Sequence, residues 1–296
     1  MRRLVRGAAS LESYRLQTYG LHAHLWVVGG GLEACPTLGY DGLWGGWILG
    51  VCSAMAEASL PAPELSDELA RWLAPARGRL LRRLQIARRR RVLDVACGTG
   101  AVTAELVRRS GGTVVALDRR FSALGGTPAD RFAGAVRVCG DALRLPFADG
   151  TFDLVFCQFA MLWLDVQAVI GQVSRILAPG GALVAIEPDY GGLIEYPPQI
   201  ATRSLWLDAL RRSGADPEVG RKLPGLLQTA GFAVRVDLLD RLEPPSATRF
   251  RFLEELSLGA RERRRLEAIR AADARLGGSF RVVHLPLFLI TAIAEA

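Results

Sequence analysis

The stretch RVLDVACGTGAVTAEL, residues 91–106, constrains the fold of this chain more than any other. It opens with apolar residues typical of a buried strand and closes with apolar positions at helical spacing. Gly98 and Gly100 stand between the two halves. Ordering a glycine costs backbone entropy, so two of them within three positions predict a turn that side chains would obstruct. The stretch therefore predicts a strand, a glycine-rich turn and a helix.

Strands and helices continue to alternate after this turn. Strands are predicted over 92–96, 113–117, 135–139, 152–157, 182–186, 233–238 and 282–293. Helices are predicted over 102–109, 121–132 and 166–177, with helical stretches upstream that start from a cap at Ser66 and resume near Leu80. Such alternation is typical of an α/β fold with a parallel sheet and crossover helices.

The first 60 residues lack this alternation and are rich in glycine and tryptophan. Their longest uncharged run, residues 42–56, is shorter than the ~20 residues that a membrane span needs, and the opening lacks the apolar core of a signal peptide. Three interpretations stay open: a lid over a site, an irregular packing arm, or a translated leader upstream of a start at Met55. We hypothesise that residues 1–54 are dispensable.

The charge balance does not by itself indicate a nucleic-acid partner. The formal net charge is +7, but Lys222 is the sole lysine and the chain has no asparagine, a bias that suggests a GC-rich genome. Net charge describes association rather than fold. We therefore expect no nucleic-acid role from the charge.

Cysteines and histidines predict neither a disulfide framework nor a metal site. The five cysteines are odd in number and form no C-x-x-C pair, which favours a reducing, cytoplasmic location. The histidines, His22, His24 and His284, form no ligand pattern with nearby acids.

Asp94 decides what the glycine-rich turn can bind. A dinucleotide fingerprint requires a third glycine, and Thr103 occupies that place. Asp94 stands inside an apolar strand four residues before Gly98, where its carboxylate would repel a pyrophosphate. The turn therefore predicts a ligand that carries positive charge and no phosphate.

The sequence at this point resembles the first motif of class I S-adenosylmethionine (SAM)-dependent methyltransferases. The variant with Ala96 and Cys97, in VLDVACGTG, resembles the branch of quinone-biosynthesis and small-molecule methyltransferases. Three further motifs follow in order: VVALDRR, CGDALRLPFADGTFDLVFC and RILAPGGALVAIEPD. The closing segments, AGFAVRVDLL and RVVHLPLFLITA, resemble the family's final β-hairpin more loosely.

The resemblance implies a fold and a division of the chain. The fold is a Rossmann-like seven-stranded sheet, mostly parallel with an antiparallel last strand, with helices on both faces. Residues 61–296 would form the methyltransferase domain, after an extension over 1–60. Within it, residues 90–190 would bind the cofactor, and 191–296 would supply substrate-side helices and the final hairpin.

The resemblance also implies the site residues and SAM as cofactor. Asp118 would accept hydrogen bonds from the two ribose hydroxyls, and Asp141 from the adenine amino group, with Ala142 against the ring. The structural alternatives are a strand-end acid for Asp118 and a turn cap for Asp141. The sequence departs from the family at Ala96, where many members have glycine. The residues expected to bind the cofactor are Asp94, Ala96, Cys97, Gly98, Thr99, Gly100, Asp118, Arg119, Asp141, Ala142, Gln158 and Phe159.

The expected reaction is in-line transfer of a methyl group to a small, apolar or aromatic molecule. Weak candidates for a catalytic role follow the fourth and fifth predicted strands: Gln158, Glu187, Asp189 and Tyr190. Trp206, Phe250 and Phe252 would favour an apolar acceptor if they face the cofactor.

Two other functions stay open. The first is a SAM-binding regulator or assembly partner without turnover. The second is an RNA methyltransferase, against which the sequence CQFAMLWL weighs, because it stands where methyltransferases of nucleic-acid bases carry an NPPY-type signature.

Overall fold

The computed structural model of this 296-residue chain describes residues 12–15, 24–27, 47–49, 61–126, 128–239, 246–277 and 280–295. In the first 60 residues it describes the backbone of three strands, β1 (Glu12–Arg15), β2 (His24–Val27) and β3 (Trp47–Leu49). The predictions on a lid, a packing arm or a start at Met55 lie outside the described residues, as does His22.

A mixed sheet forms the centre of the molecule. The strands after residue 90 are β4 (Arg91–Val95), β5 (Thr113–Asp118), β6 (Ala135–Cys139), β7 (Phe152–Gln158), β8 (Leu177–Pro188), β9 (Ile194–Tyr196), β10 (Phe232–Leu238), β11 (Val282–His284) and β12 (Leu287–Ala294). The main sheet has the order β10-β12-β8-β7-β4-β5-β6-β3, and β9 pairs with β11 separately. β12 runs antiparallel to both neighbours, and the pairs among β4 to β8 are parallel. The predicted Rossmann-like sheet of seven strands with an antiparallel last strand is confirmed, and β3 extends it beside β6.

Eight helices are described around this sheet. They are α1 (Pro63–Arg83), α2 (Thr103–Arg109), α3 (Phe121–Gly125), α4 (Val166–Ile176), α5 (Arg203–Arg212), α6 (Val219–Thr229), α7 (Ser246–Glu255) and α8 (Ala260–Leu276). α2 and α3 contact β5 and β6, whereas α4 and α6 contact β8. The crossover from β4 to β5 and the crossover from β7 to β8 run in opposite directions along the sheet. Because both are right-handed, they place these two helix groups on opposite faces of the sheet.

The central strands are buried because helices cover both of their faces. Leu93 in β4, Val115 in β5, Phe156 in β7 and Val184 in β8 are all fully buried. Parallel strands that helices cover on both faces have nearly continuous apolar sequences, and these strands show that pattern. An ionisable residue within such a run, Asp94, therefore needs partners.

The strand order reverses between β4 and β7. From β4 the chain moves outward to β5 and β6, then returns to the other side of β4 as β7 and continues to β8. At such a reversal the two crossovers leave a crevice at the carboxyl ends of the strands, where open α/β sheets bind ligands. The turn after β4 and the end of β7 both lie at this crevice.

Two helix predictions are wrong in detail. Ser66 does not cap a helix: α1 begins at Pro63, whose fixed φ suits a first helical position, and runs unbroken to Arg83. The helix predicted over 121–132 is instead α3 and a separate 3₁₀ turn, Ala129–Phe132.

Two of the predicted strands also differ from those in the structure. Residues 282–293 form two strands, β11 and β12, because Leu285 and Pro286 leave the ladder and proline cannot donate to it. The strand predicted over 182–186 lies within the longer β8, where the register with β7 jumps from Leu177 to Ala182 across the sequence APGG, residues 178–181.

Candidate active site

A cavity of about 450 Å³ lies at the carboxyl ends of β4, β5, β6 and β7; we call it the main cavity. Eleven of the twelve residues expected to bind a cofactor line it: Asp94, Ala96, Cys97, Gly98, Thr99, Asp118, Arg119, Asp141, Ala142, Gln158 and Phe159. Gly100 is not among its lining residues. The reversal of strand order thus brings residues from four strands to one concave surface.

The turn after β4 places three residues in the left-handed region of φ. These are Ala96 at +52°, Gly98 at +54° and Gly100 at +76°. At Gly100 a Cβ would lie 2.8 Å from Cε1 and Cζ of Phe132, so the glycine is required by packing inside the protein. The close approach that the sequence predicts at Gly100 is therefore made by the Phe132 ring.

Asp118 ends β5 with both carboxylate oxygens facing backbone donors. Oδ2 accepts a hydrogen bond from Gly98 N at 2.9 Å, and Oδ1 accepts one from Arg120 N at 2.9 Å. A carboxylate has about four acceptor positions, so these bonds fix the side chain and leave one position on each oxygen. Such a pair of acceptors suits two neighbouring hydroxyl groups.

Asp94 is 4% exposed and accepts a hydrogen bond from Thr103 Oγ1 at 2.7 Å. Burial raises the pKa of Asp94 to about 7, against the lowering effects of Thr103 and of the charge of Arg77. Thr103 stands where the dinucleotide fingerprint has glycine, and its hydroxyl explains why that position differs. A cationic group in the main cavity would favour the ionised form of Asp94.

Asp141 caps the 3₁₀ turn that follows β6. Its Oδ1 accepts a hydrogen bond from Leu143 N at 2.9 Å, so the structural interpretation of this residue as a turn cap holds. Asp141 and Ala142 nevertheless line the main cavity, which leaves the capping aspartate able to meet a ligand as well.

A smaller apolar cavity of about 60 Å³, the side pocket, adjoins the main cavity. The two share Leu69, Phe159, Tyr190, Trp206 and Phe252 in their walls. Phe250 lines neither; the guanidinium of Arg249 lies 4.8 Å from its ring centroid. The polar groups of the side pocket are few, and its Arg249 is paired with Glu195 at 2.6 Å.

Comparison with known proteins places this architecture in a family. The family model for a methyltransferase domain matches residues 93–185. An uncharacterized methyltransferase of Synechocystis is 32% identical over 193 residues, which cover 64% of this chain and 83% of that protein. The chain is a member of the SAM-dependent methyltransferase family.

Other relatives agree with this assignment over shorter spans. Demethylmenaquinone methyltransferase of Corynebacterium urealyticum is 42% identical over 112 residues, 38% of this chain and 47% of that protein. The chain thus spans less than half of the length of the first curated relatives it matches. The structure of a Haemonchus contortus phosphoethanolamine N-methyltransferase has a TM-score of 0.52 at 17% identity, covering 75% of this chain and 53% of that one, and shows the shared fold.

The four catalytic candidates of this methyltransferase do not lie together. Gln158 and Tyr190 line the main cavity, whereas Glu187 and Asp189 do not. Asp189 is paired with Arg221, whose Nη2 lies 2.6 Å from Oδ2. Tyr190 stacks on Trp206 with ring centroids 4.6 Å apart, and burial raises the pKa of its hydroxyl.

Glu187 supports the loop that follows β7 from behind. The side chain is fully buried, and its Oε1 accepts hydrogen bonds from Ala160 N and Met161 N, both at 3.1 Å. Burial raises the pKa of Glu187 to about 7. Phe159, the residue before this pair, has a φ of +55°, so Glu187 stabilises an unusual backbone that presents Phe159 to both cavities.

Arg77 is a site residue that sequence reasoning missed. It lies on α1 and is 2% exposed, with hydrogen bonds to Glu105 on α2 and to Gln158 at the end of β7. The chain contains many arginines, and no local pattern distinguishes this one. Only the tertiary fold brings it against Gln158, behind the wall of the main cavity.

No helix in the described residues is both long and apolar enough to cross a membrane. The same residues hold no cluster of three or more histidine, cysteine, aspartate or glutamate side chains that could bind a metal ion.

Proposed function

We propose that this chain binds SAM in the main cavity and transfers its methyl group to a small, apolar or aromatic molecule that binds where the main cavity adjoins the side pocket. The observation that carries the proposal is that the two cavities adjoin. A cavity lined by three carboxylates shares part of its wall, the residues Leu69, Phe159, Tyr190, Trp206 and Phe252, with an apolar pocket.

The polar groups of the main cavity fit the cofactor part by part. Asp118 has two acceptor positions left for a ribose diol, and Asp141 is available for the adenine amino group. Asp94 is a buried carboxylate whose described hydrogen-bond donor is the uncharged hydroxyl of Thr103, which suits a positively charged ligand. Bound SAM would supply an electrophilic methyl group, and the chain's own residues would hold the cofactor and shield it from water.

The chain's contribution to the reaction is chiefly positioning. Holding two reacting groups in line at close approach contributes roughly 7–11 kcal/mol to lowering a barrier. Tyr190 stays protonated near neutral pH because its pKa is raised, and Glu187 and Asp189 do not reach the main cavity. None of these three therefore serves as a general base for the acceptor, and the proposed mechanism requires none.

The acceptor is proposed to be largely apolar. Trp72, Leu193, Val283 and Leu285 complete the apolar walls of the side pocket. The relatives named demethylmenaquinone methyltransferases make a demethylated quinone one specific candidate for the acceptor. The apolar walls and the paired state of Arg249 disfavour a strongly anionic acceptor.

We also propose that residues 61–296 form the catalytic domain and that the protein works in a reducing compartment such as the cytoplasm. Among the described residues, those that line the main cavity all lie within this range, from Pro61 to Ser257. Cys97 and Cys157 are free thiols, as a reducing environment would keep them.

Two measurements test the proposed function. Calorimetry with S-adenosylhomocysteine (SAH) should show one site per chain, with an affinity that is weakened severalfold or more in Asp118→Ala and unchanged in Asp149→Ala, which changes an exposed acid outside the main cavity. Incubation with methyl-labelled SAM and an extract of the native organism should place label in the organic-soluble fraction.

The alternatives predict other outcomes of the labelling experiment. Binding of SAH without any labelling would favour the regulator or assembly partner without turnover. Label in the RNA fraction would favour the RNA methyltransferase. Preference for NAD over SAH would refute the proposed function.

A further inference from the structure

Arg77 connects three parts of the chain beneath the main cavity. Its Nε donates a hydrogen bond to Glu105 Oε2 at 2.9 Å, and its Nη2 contacts the same oxygen. Its Nη1 donates to Ala70 O at 3.0 Å and to Gln158 Oε1 at 3.1 Å. Residue 77 lies in α1, outside the segment that the family model matches, so the family match does not include this contact.

The contact with Arg77 fixes which end of the Gln158 amide faces the cavity. A guanidinium only donates hydrogen bonds, so the atom that faces it has to be the amide oxygen. The Nε2 group of Gln158, with its two donors, is then left for a partner in the main cavity, which Gln158 lines. Such a fixed amide offers a hydrogen-bond donor at one point of the wall.

The order of strands indicates which part of the cofactor lies near this donor. Asp141 follows β6, Asp118 ends β5, Asp94 lies in β4, and Gln158 ends β7. These strands are consecutive neighbours in the sheet. With adenine at Asp141 and ribose at Asp118, the methionyl end falls at β4 and β7, between Asp94 and Gln158. That end carries an ammonium group and a carboxylate, which suit Asp94 and an amide donor respectively.

We propose that Arg77 is a positioning residue, which orients Gln158 so that its Nε2 donates a hydrogen bond to the methionyl carboxylate of the bound cofactor. This inference rests on the proposed function. It assigns to α1 a part in cofactor recognition, through Gln158 and without contact between Arg77 and the cofactor.

A purely structural role of Arg77 is the competing explanation. The buried pair of Arg77 and Glu105 could simply hold α1 against α2. Glu105 forms a second ion pair, with Arg109, whose Nε lies 2.7 Å from Glu105 Oε1. Glu105→Gln therefore weakens the pair and keeps the contact between Arg77 and Gln158, which makes it the matched control.

The test compares two ligands at pH 8.5, where Asp94 is ionised. SAH carries the methionyl carboxylate, whereas 5′-deoxy-5′-methylthioadenosine has the adenine, ribose and sulfur without the amino-acid part. Gln158→Met should weaken SAH binding about tenfold, the order expected for a hydrogen bond to a charged group. Arg77→Met should weaken it about three- to tenfold, and the double variant should bind SAH no worse than Gln158→Met. The SAH affinity of Glu105→Gln should stay within twofold of that of the wild type. No variant should change the affinity for methylthioadenosine by more than twofold.

Several results would overturn the inference. One is an equal loss of affinity for the two ligands, and another is a loss of SAH affinity in the double variant that equals the sum of the two single losses. A third is a loss of SAH affinity in Glu105→Gln that equals that of Arg77→Met. If Arg77→Met does not fold, Arg77→Met/Glu105→Leu removes the buried pair together, a change that proteins often tolerate. Gln158→Glu, which keeps an acceptor for Arg77 and removes the donor, should lose SAH affinity at least as strongly as Gln158→Met. Failure of the wild type to bind either ligand would refute the proposed function itself, whereas normal binding without selective loss would refute only the role of Arg77.

Discussion

Gly100 offers a direct test of why the turn after β4 contains glycine. In Gly100→Ala the new Cβ would lie 2.8 Å from two atoms of the Phe132 ring, and the alanine would have to adopt a φ of +76°. The left-handed conformation costs about 1–2 kcal/mol for a residue with a Cβ, and overpacking about 1–3 kcal/mol. Reduced freedom of the unfolded chain offsets up to about 1 kcal/mol. We expect the free energy of unfolding to fall by about 2–4 kcal/mol.

Denaturant unfolding measures this loss, and two further variants isolate its cause. Gly171→Ala places a Cβ where no atom lies within 4 Å, in the interior of α4, and should raise stability by up to about 1 kcal/mol. Gly100→Ala/Phe132→Leu should recover the packing part of the loss but not the conformational part. A Gly100→Ala protein of unchanged stability that binds SAH tenfold more weakly would refute this reasoning, because it would show that Gly100 contacts the ligand.

Four other expectations concern the same site. Asp94→Ala and Asp118→Ala should each weaken SAH binding severalfold or more while circular dichroism shows the fold retained; unchanged affinity in both would contradict the assignment. Because the folded pKa of Asp94 is raised to about 7 and the ligand's ammonium group favours the ionised form, SAH affinity should fall as the pH drops below 7, up to about tenfold per unit. Asp94→Asn should remove that dependence, and a persisting slope in it would assign the proton to another group. Ala96→Gly should raise the free energy of unfolding by about 0.5 kcal/mol, since Ala96 has a φ of +52°; a lower value in denaturant unfolding would contradict this. Deleting residues 1–54 removes β3 and should leave SAH affinity unchanged in calorimetry, because the residues expected to bind the cofactor all lie between Asp94 and Phe159.

The parts of the site that the sequence predicts are those encoded by local spacing. Strand, turn and helix follow one another within residues 91–109, and each acid ends or follows its own strand. In a parallel sheet the carboxyl ends of neighbouring strands meet at one edge, so local positions of Asp94, Asp118 and Asp141 suffice to place them around one cavity. The sheet and the main cavity could therefore be predicted without knowledge of tertiary contacts.

The parts that the sequence does not predict depend on contacts between distant segments. Arg77 meets Gln158 across 81 positions of the chain, and Phe132 reaches Gly100 from a turn that the helical pattern of residues 121–132 conceals. The sequence makes Glu187 a candidate for a catalytic role, yet its hydrogen bonds to Ala160 N and Met161 N place it behind the loop. A residue's type and position in the chain do not say which side of a loop it supports.

The walls of the side pocket have an evolutionary consequence. Trp72, Leu193, Val283 and Leu285 line the side pocket but not the main cavity, and all lie outside the segment that the family model matches. Mutations at these four positions leave Asp94, Asp118 and Asp141 untouched. A lineage could thus acquire a new acceptor by drift in the flanking segments alone, and the same separation gives a designer a set of positions to randomise while cofactor affinity serves as a constant reference.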